Sequence, residues 1–333
     1  MSGGALRQST DLASSAGRTS ARQHILVIKL GALGDIVQAL GPFAAIRRHH
    51  ATSRITLLTT MPFADFLRGS AYFDDIWIDR RRPLWDIAAL FDLRRRLRAV
   101  HFDRVYDLQT SGRSSFYFCL FGPGRRPEWS GIARGCSHPH RNPNRDAMHT
   151  IERQAEQLAD AGLAPPPPPD LSWVHVDSDR LGASAPYVLF APGGSAHRQE
   201  KRWPAERYAE LARRLGARGY GVVLLGTATE RAVMDGIRAT APAAEDLAGG
   251  TSFRDIVGLA RRAAGAVGND TGPMHLIAAS GCPATVLFSN ASDPSLCAPR
   301  AAAGAPPVVI LRRSSLADLG ADEVETSLRL RGR

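Results

Sequence analysis

The sequence predicts an α/β protein of two parallel-sheet halves facing a cleft. Three observations carry that prediction. Short buried-strand runs alternate with amphipathic helical stretches over most of the 333 residues. A run of five prolines, Pro165 to Pro169, divides the alternation into two similar series. Glycine-bearing turns stand where strands give way to helices, around Gly31, Gly193 and Gly272.

The first series opens with an apolar run at 24–29, which suits a strand covered on both faces. After the Gly31-Ala-Leu-Gly34 turn, residues 35–48 predict a helix whose Ile36, Val37, Leu40, Phe43, Ala44 and Ile46 make an apolar face. A strand at 54–59, a helical stretch near 63–68 and a short strand near 75–78 follow. Residues 86–99 predict a basic amphipathic helix with Ile87, Leu90, Leu93 and Leu97 on one side, and 104–108 another strand. The proline run can be neither helix nor central strand and predicts a stiff extended linker.

The pattern then restarts. A strand at 187–191 leads into the Gly193 turn, and a helix at 204–218 is opened by Pro204 and closed by Gly219. Next come a strand at 221–226, a helix at 229–239 and a helix ending near 263. Thr251 or Ser252 caps the last of these, with Asp255 placed for a capping box on Ser252. Strand, turn, helix and strand fill 264–288, and an amphipathic helix at 316–330 closes the chain. The expected organisation is a disordered tail at 1–22, a first domain at 23–164, a linker at 165–186 and a second domain at 187–312. The segment 313–333 is expected to pack back on the first domain.

Hydrophobic content of 44% and charged content of 22% are those of a globular protein, and no apolar run reaches membrane-spanning length. In the tail, Asp11 and the lack of an amphipathic face argue against a transit peptide. Cys119, Cys136, Cys282 and Cys297 show no paired spacing, which suits a reducing cytoplasm. The net charge of +10 favours acidic partners. Without interleaved aromatic residues, the basic positions do not suggest a nucleic-acid platform. Among 42 basic residues only Lys29 and Lys201 are lysine, and both fall at strand–helix turns or loops of interest.

Four segments hold chemistry-bearing residues. In the first, Lys29 to Asp35, two glycines and an acid at a helix start put Asp35 at the cleft mouth. A carboxylate there can act as general base on a hydroxyl, or merely stabilise its helix. The spacing is not Gly-x-Gly-x-x-Gly, which counts against a dinucleotide. In the second, Pro192-Gly193-Gly194-Ser195 followed by Lys201-Arg202-Trp203-Pro204, glycines admit a phosphate and Lys201 can neutralise it; a turn with a charged loop is the plainer reading. In the third, Glu230 lies just past a strand end and can accept from ribose hydroxyls, or simply complement a helix dipole. The fourth is Asn269-Asp270-Thr271-Gly272-Pro273-Met274-His275. Thr271 or Asp270 can cap the helix, its N–H groups favour an anion, and Asp270 can accept from sugar hydroxyls. His275 can donate to a phosphate and Met274 can pack on a base, although both are residue types that commonly just pack.

Other signals are weaker. Arg80–Arg82 and Arg94–Arg98 make a basic surface for anionic lipid or phosphates, or a solvated face. Cys136, His138, His140 and His149 match no zinc spacing.

Taken together, Ile28–Asp35, Lys201–Pro204 and Asp270–Leu276 resemble glycosyltransferase family 9, the heptosyltransferases of lipopolysaccharide core assembly, with similarity over about 24–312. The resemblance implies a GT-B fold of two Rossmann-like domains. It implies inverting, metal-independent sugar transfer, typically from ADP-heptose, with no cofactor. Asp35 would be the catalytic base. The donor would be held by Ser195, Lys201, Glu230, Asp270, Thr271 and Gly272, with Lys29 beside Asp35 or a phosphate; Gly193, Gly194, Met274 and His275 join this donor set from the reading of their own segments above. Gly34, Gln109 and Arg113 would lie on the acceptor side. The implied partners are a nucleotide-diphosphate sugar and an anionic glycolipid acceptor, met in the cytoplasm at the inner-membrane surface, and not nucleic acid. Two features depart from the family: the first turn reads Leu-Gly-Ala-Leu where many members have a Ser-rich loop, and 122–145 matches no family pattern. A nucleotide-sugar epimerase, or another non-transferase enzyme on the same fold, is the alternative.

Overall fold

The computed structural model describes residues 22–122, 124, 126–176, 186–194 and 198–332. The expected tail, apart from Arg22, lies outside the described residues, as does Ser195. Arg22 itself is held by Thr52 O and Asp74, so it belongs to the first domain.

The first domain contains β1 (His24–Ile28), α1 (Leu33–Gln38), α2 (Leu40–His49), β2 (Arg54–Thr59), α3 (Met61–Leu67), β3 (Asp75–Ile78) and α4 (Ile87–Ala99). It continues with β4 (Arg104–Asp107), α5 (Gly112–Leu120), β5 (Glu128–Gly131), β6 (His138–Pro139) and α6 (Thr150–Asp160). The second domain contains β7 (Tyr187–Ala191), α7 (Ala205–Ala217), β8 (Gly221–Leu224), α8 (Arg231–Thr240), β9 (Glu245–Asp246) and α9 (Phe253–Arg262). After these come β10 (Gly265–Asn269), α10 (Gly272–Ala279), β11 (Ala284–Phe288), α11 (Pro294–Cys297), β12 (Val309–Arg312) and α12 (Ala321–Ser327).

Each domain holds one six-stranded sheet, in the orders β3-β2-β1-β4-β5-β6 and β12-β11-β10-β7-β8-β9. Every strand pairing is parallel. Counted within its own domain, each sheet has the Rossmann order 3-2-1-4-5-6. The order reverses between β1 and β4 in one sheet and between β7 and β10 in the other, so each domain has one crevice where a ligand can sit beyond its strand ends.

Several expectations are refined. The single helix at 35–48 is two, α1 and α2, joined at Ala39, because Pro42 has no N–H to offer Gln38. Gly41 lets α2 close on Pro167 O of the linker, where a side chain would collide. The Ser252–Asp255 capping box is present, with Asp255 Oδ2 accepting from Ser252 N at 2.9 Å. On α4, Leu97 is fully buried while Ile87 faces out at 65% exposure, so Ile87 leaves the expected apolar face. The helices α5 and α6 and the short strands β5 and β6 are additional to the elements expected from the sequence.

The terminal segment does not pack on the first domain as expected. Leu316, Leu319, Ala321 and Val324 are buried in the second domain's core, and Trp203 Nε1 donates to Leu319 O at 2.9 Å. Arg331 donates to Arg261 O and Gly281 O, also in the second domain. The expected helix at 316–330 is a 3-10 turn at Leu316–Asp318 followed by α12, seven residues long.

The domains are instead joined through a core continuous across both, in which Ile36, Phe63 and Phe66 meet Val257 and Leu276. Phe63 stacks on Phe253 at 5.8 Å, and Arg254 donates to Phe66 O at 3.1 Å. On another side, Thr150 donates to Leu296 O and Gln38 to Cys297 O. The linker follows both: Arg261 of α9 donates to Leu171 O and Val174 O at 2.6 Å, and Arg48 of α2 to Pro165 O at 3.0 Å.

Candidate active site

The expected site residues collect at the two crevices. From the first sheet, the turn after β1 carries Gly34 and Asp35, and the turn after β4 carries Gln109. From the second, the turn after β7 carries Gly193 and Gly194, and the turn after β10 carries Asp270 to Gly272. The starts of α1 and α10 bring these halves face to face. A Cβ on Gly272 would lie 2.7 Å from Leu33 Cβ, and one on Gly34 would lie 2.8 Å from His275 Cδ2. Such approach is open only to glycine.

Asp35 is half-buried in the first turn of α1, and its Oδ2 accepts from Ala32 N at 2.9 Å. That bond is the helix-stabilising reading of the residue, and it also fixes the carboxylate at the crevice. The turn beneath is braced from β4: Gln109 Oε1 accepts from Leu30 N at 2.8 Å. Gln109 therefore shapes the first turn as well as lying beside it. Asp107 Oδ1 in turn accepts from Gln109 N and Thr110 N at 3.1 and 3.0 Å, holding Thr110 at a φ of +44°. That is a strained conformation for a β-branched residue.

Lys29 is corrected. It is 3% exposed, and Nζ donates to Leu108 O at 3.0 Å, within the first domain. Burial lowers its pKa, with the Asp35 and Asp107 charges opposing. Lys29 lies buried under the Asp35 turn, beside the Asp35 charge.

The second-domain cradle is built around Asn269, which is fully buried. Its Oδ1 accepts from Trp203 N at 3.0 Å and from Tyr208 Oη at 3.1 Å. Its Nδ2 donates to Pro192 O at 2.7 Å and to Gly193 O at 3.1 Å. One amide thus pins both the glycine turn and the Lys201–Trp203 loop to the end of β10. Lys201 Nζ pairs with Asp270 Oδ2 at 2.8 Å, with side chains 15% and 10% exposed. Arg202 donates to Gly194 O at 2.7 Å. Glu230 Oε1 accepts from Gly194 N at 2.6 Å, and Oε2 accepts from Thr227 N at 2.8 Å. Gly193 lets Glu230 cross it closely, since a Cβ there would displace the carboxylate. Thr271 occupies the N-cap of α10 without a side-chain cap bond; its buried Oγ1 has no partner among the described residues.

Two further donor expectations are corrected. Met274 is 0% exposed in the core, where its sulfur fills the space left by Gly268. His275 is 6% exposed and packs on Gly34 instead of facing an anion. Burial pushes its pKa down to about 4, against smaller opposing effects of the Asp270 and Asp35 charges. Both carboxylates therefore lie near this neutral ring. Arg113 lies further out, donating to Arg82 O at 2.9 Å and Tyr117 Oη at 3.2 Å in a cleft of about 620 Å³.

Sequence reasoning missed the role of Asn269 and the Arg202–Gly194 tie. An amide at the end of a buried strand was the available signal for Asn269. Among the described residues, no group of three or more His, Cys, Asp or Glu is placed to hold a metal ion.

Two Rossmann-ordered domains whose switch-point turns face each other define a GT-B-type protein. The match to the family model for glycosyltransferase family 9 (heptosyltransferase) spans residues 90–305, and the chain belongs to that family. It is 30% identical over 217 residues to lipopolysaccharide heptosyltransferase 2 of Escherichia coli K12, covering 59% of this chain and 62% of that protein. It is 27% identical over 287 residues to lipopolysaccharide heptosyltransferase 1 of Pseudomonas aeruginosa, covering 80% and 78%. Among solved structures, a glycosyl transferase family 9 protein from Veillonella parvula superposes with a TM-score of 0.77 at 19% identity, covering 92% of this chain and 95% of that one. The E. coli ADP-heptose LPS heptosyltransferase II gives 0.74 at 22%, covering 92% and 97%. These two likenesses establish the fold.

Proposed function

We propose that this protein is an inverting, metal-independent glycosyltransferase that moves heptose from ADP-heptose onto an anionic, lipopolysaccharide-type acceptor. The observation that carries the reading is the placement of Asp35 across the α1–α10 contact from the Lys201–Asp270 pair and the α10 N-terminus. Inverting transfer needs a base on one side of the sugar and charge stabilisation for a departing diphosphate on the other. Asp35 supplies the first, accepting the proton of the attacking hydroxyl. Lys201, the N–H groups at Thr271 and Gly272, and the unpartnered Thr271 hydroxyl supply the second. Asp270 faces the sugar hydroxyls, and Glu230, having set the Gly194 turn, accepts from the nucleotide ribose. Gly193 and Gly194 let the diphosphate approach the backbone, and Ser195 follows them in sequence. Gly34, Gln109 and Arg113 lie toward the acceptor, which reaches the enzyme at the cytoplasmic membrane surface. The relatives' names support heptose as the sugar and lipopolysaccharide as the acceptor class.

The test is ADP release from ADP-heptose, with and without a lipopolysaccharide-type acceptor, in EDTA. Acceptor-dependent release with inverted product configuration is expected. Conversion of the nucleotide sugar without acceptor would indicate an epimerase, and loss of transfer in EDTA would overturn metal independence.

A further inference from the structure

We infer that the outer side of α4 and the loop before it, residues 80–98, form a docking surface for an anionic lipid bilayer. The inference deepens the reading above, because it rests on the acceptor being lipid-borne when it says what the docking is for. The surface itself follows from composition and exposure.

Six large hydrophobic side chains among the described residues are exposed: Met61, Leu84, Trp85, Ile87, Phe91 and Phe116. All six belong to the first domain, and four lie between residues 84 and 91. Trp85 is 83% exposed, Phe91 67% and Ile87 65%. Ile87 and Phe91 are one helical turn apart and share a face. The opposite side of α4 is already satisfied by the packing of Leu97 in the domain core. The helix therefore carries a second apolar face that its own fold does not use. Single exposed apolar residues need no explanation, but a cluster does.

Charge selects the occupant. Residues 80–98 contain seven arginines and two aspartates. Both aspartates are engaged by arginines, Asp86 by Arg82 at 3.0 Å and Asp92 by Arg95 at 2.6 Å. The apolar centre is thus rimmed by excess positive charge. Two copies of this chain meeting here would set like-charged rims together, whereas an anionic bilayer accepts both parts. Tryptophan suits the headgroup level of such a surface.

The patch is also continuous with the site. A cleft of about 520 Å³ runs from Gly31 and Ala32, beside Asp35, to Met61, Arg80 and Arg81. It shares Ile78, Asp79 and Arg80 with the 620 Å³ cleft beside α4. A lipid-anchored acceptor can therefore leave the bilayer at α4 and extend its glycan toward Asp35.

The experiment is co-sedimentation of the full chain with phosphatidylethanolamine vesicles with and without phosphatidylglycerol. We expect binding only with phosphatidylglycerol, weakening with added salt. The triple variant Trp85→Ser/Ile87→Ser/Phe91→Ser should bind at least ten-fold more weakly, and so should Arg80→Gln/Arg95→Gln/Arg98→Gln. Both should keep the wild-type melting temperature. The single variant Trp85→Phe should lose the blue shift of tryptophan fluorescence on vesicle addition, even if a triple variant fails to fold. Equal sedimentation of wild type and folded variants overturns the inference, as does wild-type self-association that the apolar variant abolishes. Vesicle binding is read without any donor, so failure of the transferase reading leaves this result distinct. With an active enzyme, the apolar variant should lose transfer to vesicle-borne acceptor but keep transfer to a delipidated one.

Discussion

Gly34 and His275 meet across the two domains so closely that a methyl group on Gly34 would lie 2.8 Å from Cδ2 and 2.9 Å from Nε2 of the ring. This contact sets the spacing between the turn that carries Asp35 and the turn that carries Asp270. A Gly34→Ala variant must shift either α1 or the buried His275 ring. Overpacking of this kind costs about 1–3 kcal/mol. The expected result is a lowered melting temperature together with at least a ten-fold loss of kcat. Wild-type values for both would mean that the two turns do not need this spacing.

Asp35 and Asp270 should separate cleanly by kinetics and binding. Asp35→Asn removes the base and should lower kcat by about 10²–10⁴-fold, with donor affinity kept. Asp270→Ala should weaken donor binding, measured by calorimetry with ADP-heptose. Lys201→Met should weaken it more, because it leaves the 10% exposed Asp270 carboxylate facing a diphosphate of like charge. If Asp35→Asn loses donor affinity as well, the residue is not acting as an acceptor-side base.

Asn269 should behave as a positioning residue. Asn269→Ala strands four hydrogen-bonding groups of the Pro192–Gly193 and Trp203–Tyr208 segments, at a cost of about 2–4 kcal/mol. Donor affinity should fall too, although Asn269 touches no donor atom in the proposed arrangement. Urea denaturation and calorimetry check this. A stable variant with full affinity would show that the two loops hold their places without it.

Acid should destabilise the fold above the ordinary carboxylate range. Burial lowers both His275 and His50 from 6.5 to about 4. The unfolded chain takes up these protons near pH 6.5, whereas the folded chain resists until about pH 4. Their contribution is complete above pH 6.5 and is lost as pH falls toward 4. Asp107 acts oppositely: burial raises its carboxyl from 3.8 to about 6, so the fold gains stability as pH falls through 6. Two histidines outweigh one aspartate, and the net loss between pH 7.5 and 5 is about 2–3 kcal/mol. Urea midpoints at the two pH values measure it, and a flat profile would contradict the assignment.

Much of the architecture was legible because its signals are local. Strands β1, β7, β10 and β11 are short apolar runs, and each is followed by a turn whose glycine or acid has a backbone reason to be there. The Asp35, Lys201 and Asp270 segments could be picked for the same reason. Lys29 could not be placed this way: a lysine at a strand end looks the same whether it faces a ligand or lies beneath a turn. Met274 and His275 sit beside an anion-binding turn in sequence, but the helical twist of α10 carries them into the core and against Gly34.

By itself, the sequence determined two parallel α/β halves, the proline-run division between them and the turns that bear polar groups, because chain periodicity and turn chemistry act over a few residues. The tertiary structure alone decided which of those groups share a site. It paired Lys201 with Asp270 across 69 residues of chain, gave Asn269 its four partners and brought Gly34 against His275. It also turned the terminal segment onto the second domain and left Trp85, Ile87 and Phe91 facing outward. These outcomes depend on sheet order and on close packing between distant segments, which no local pattern encodes.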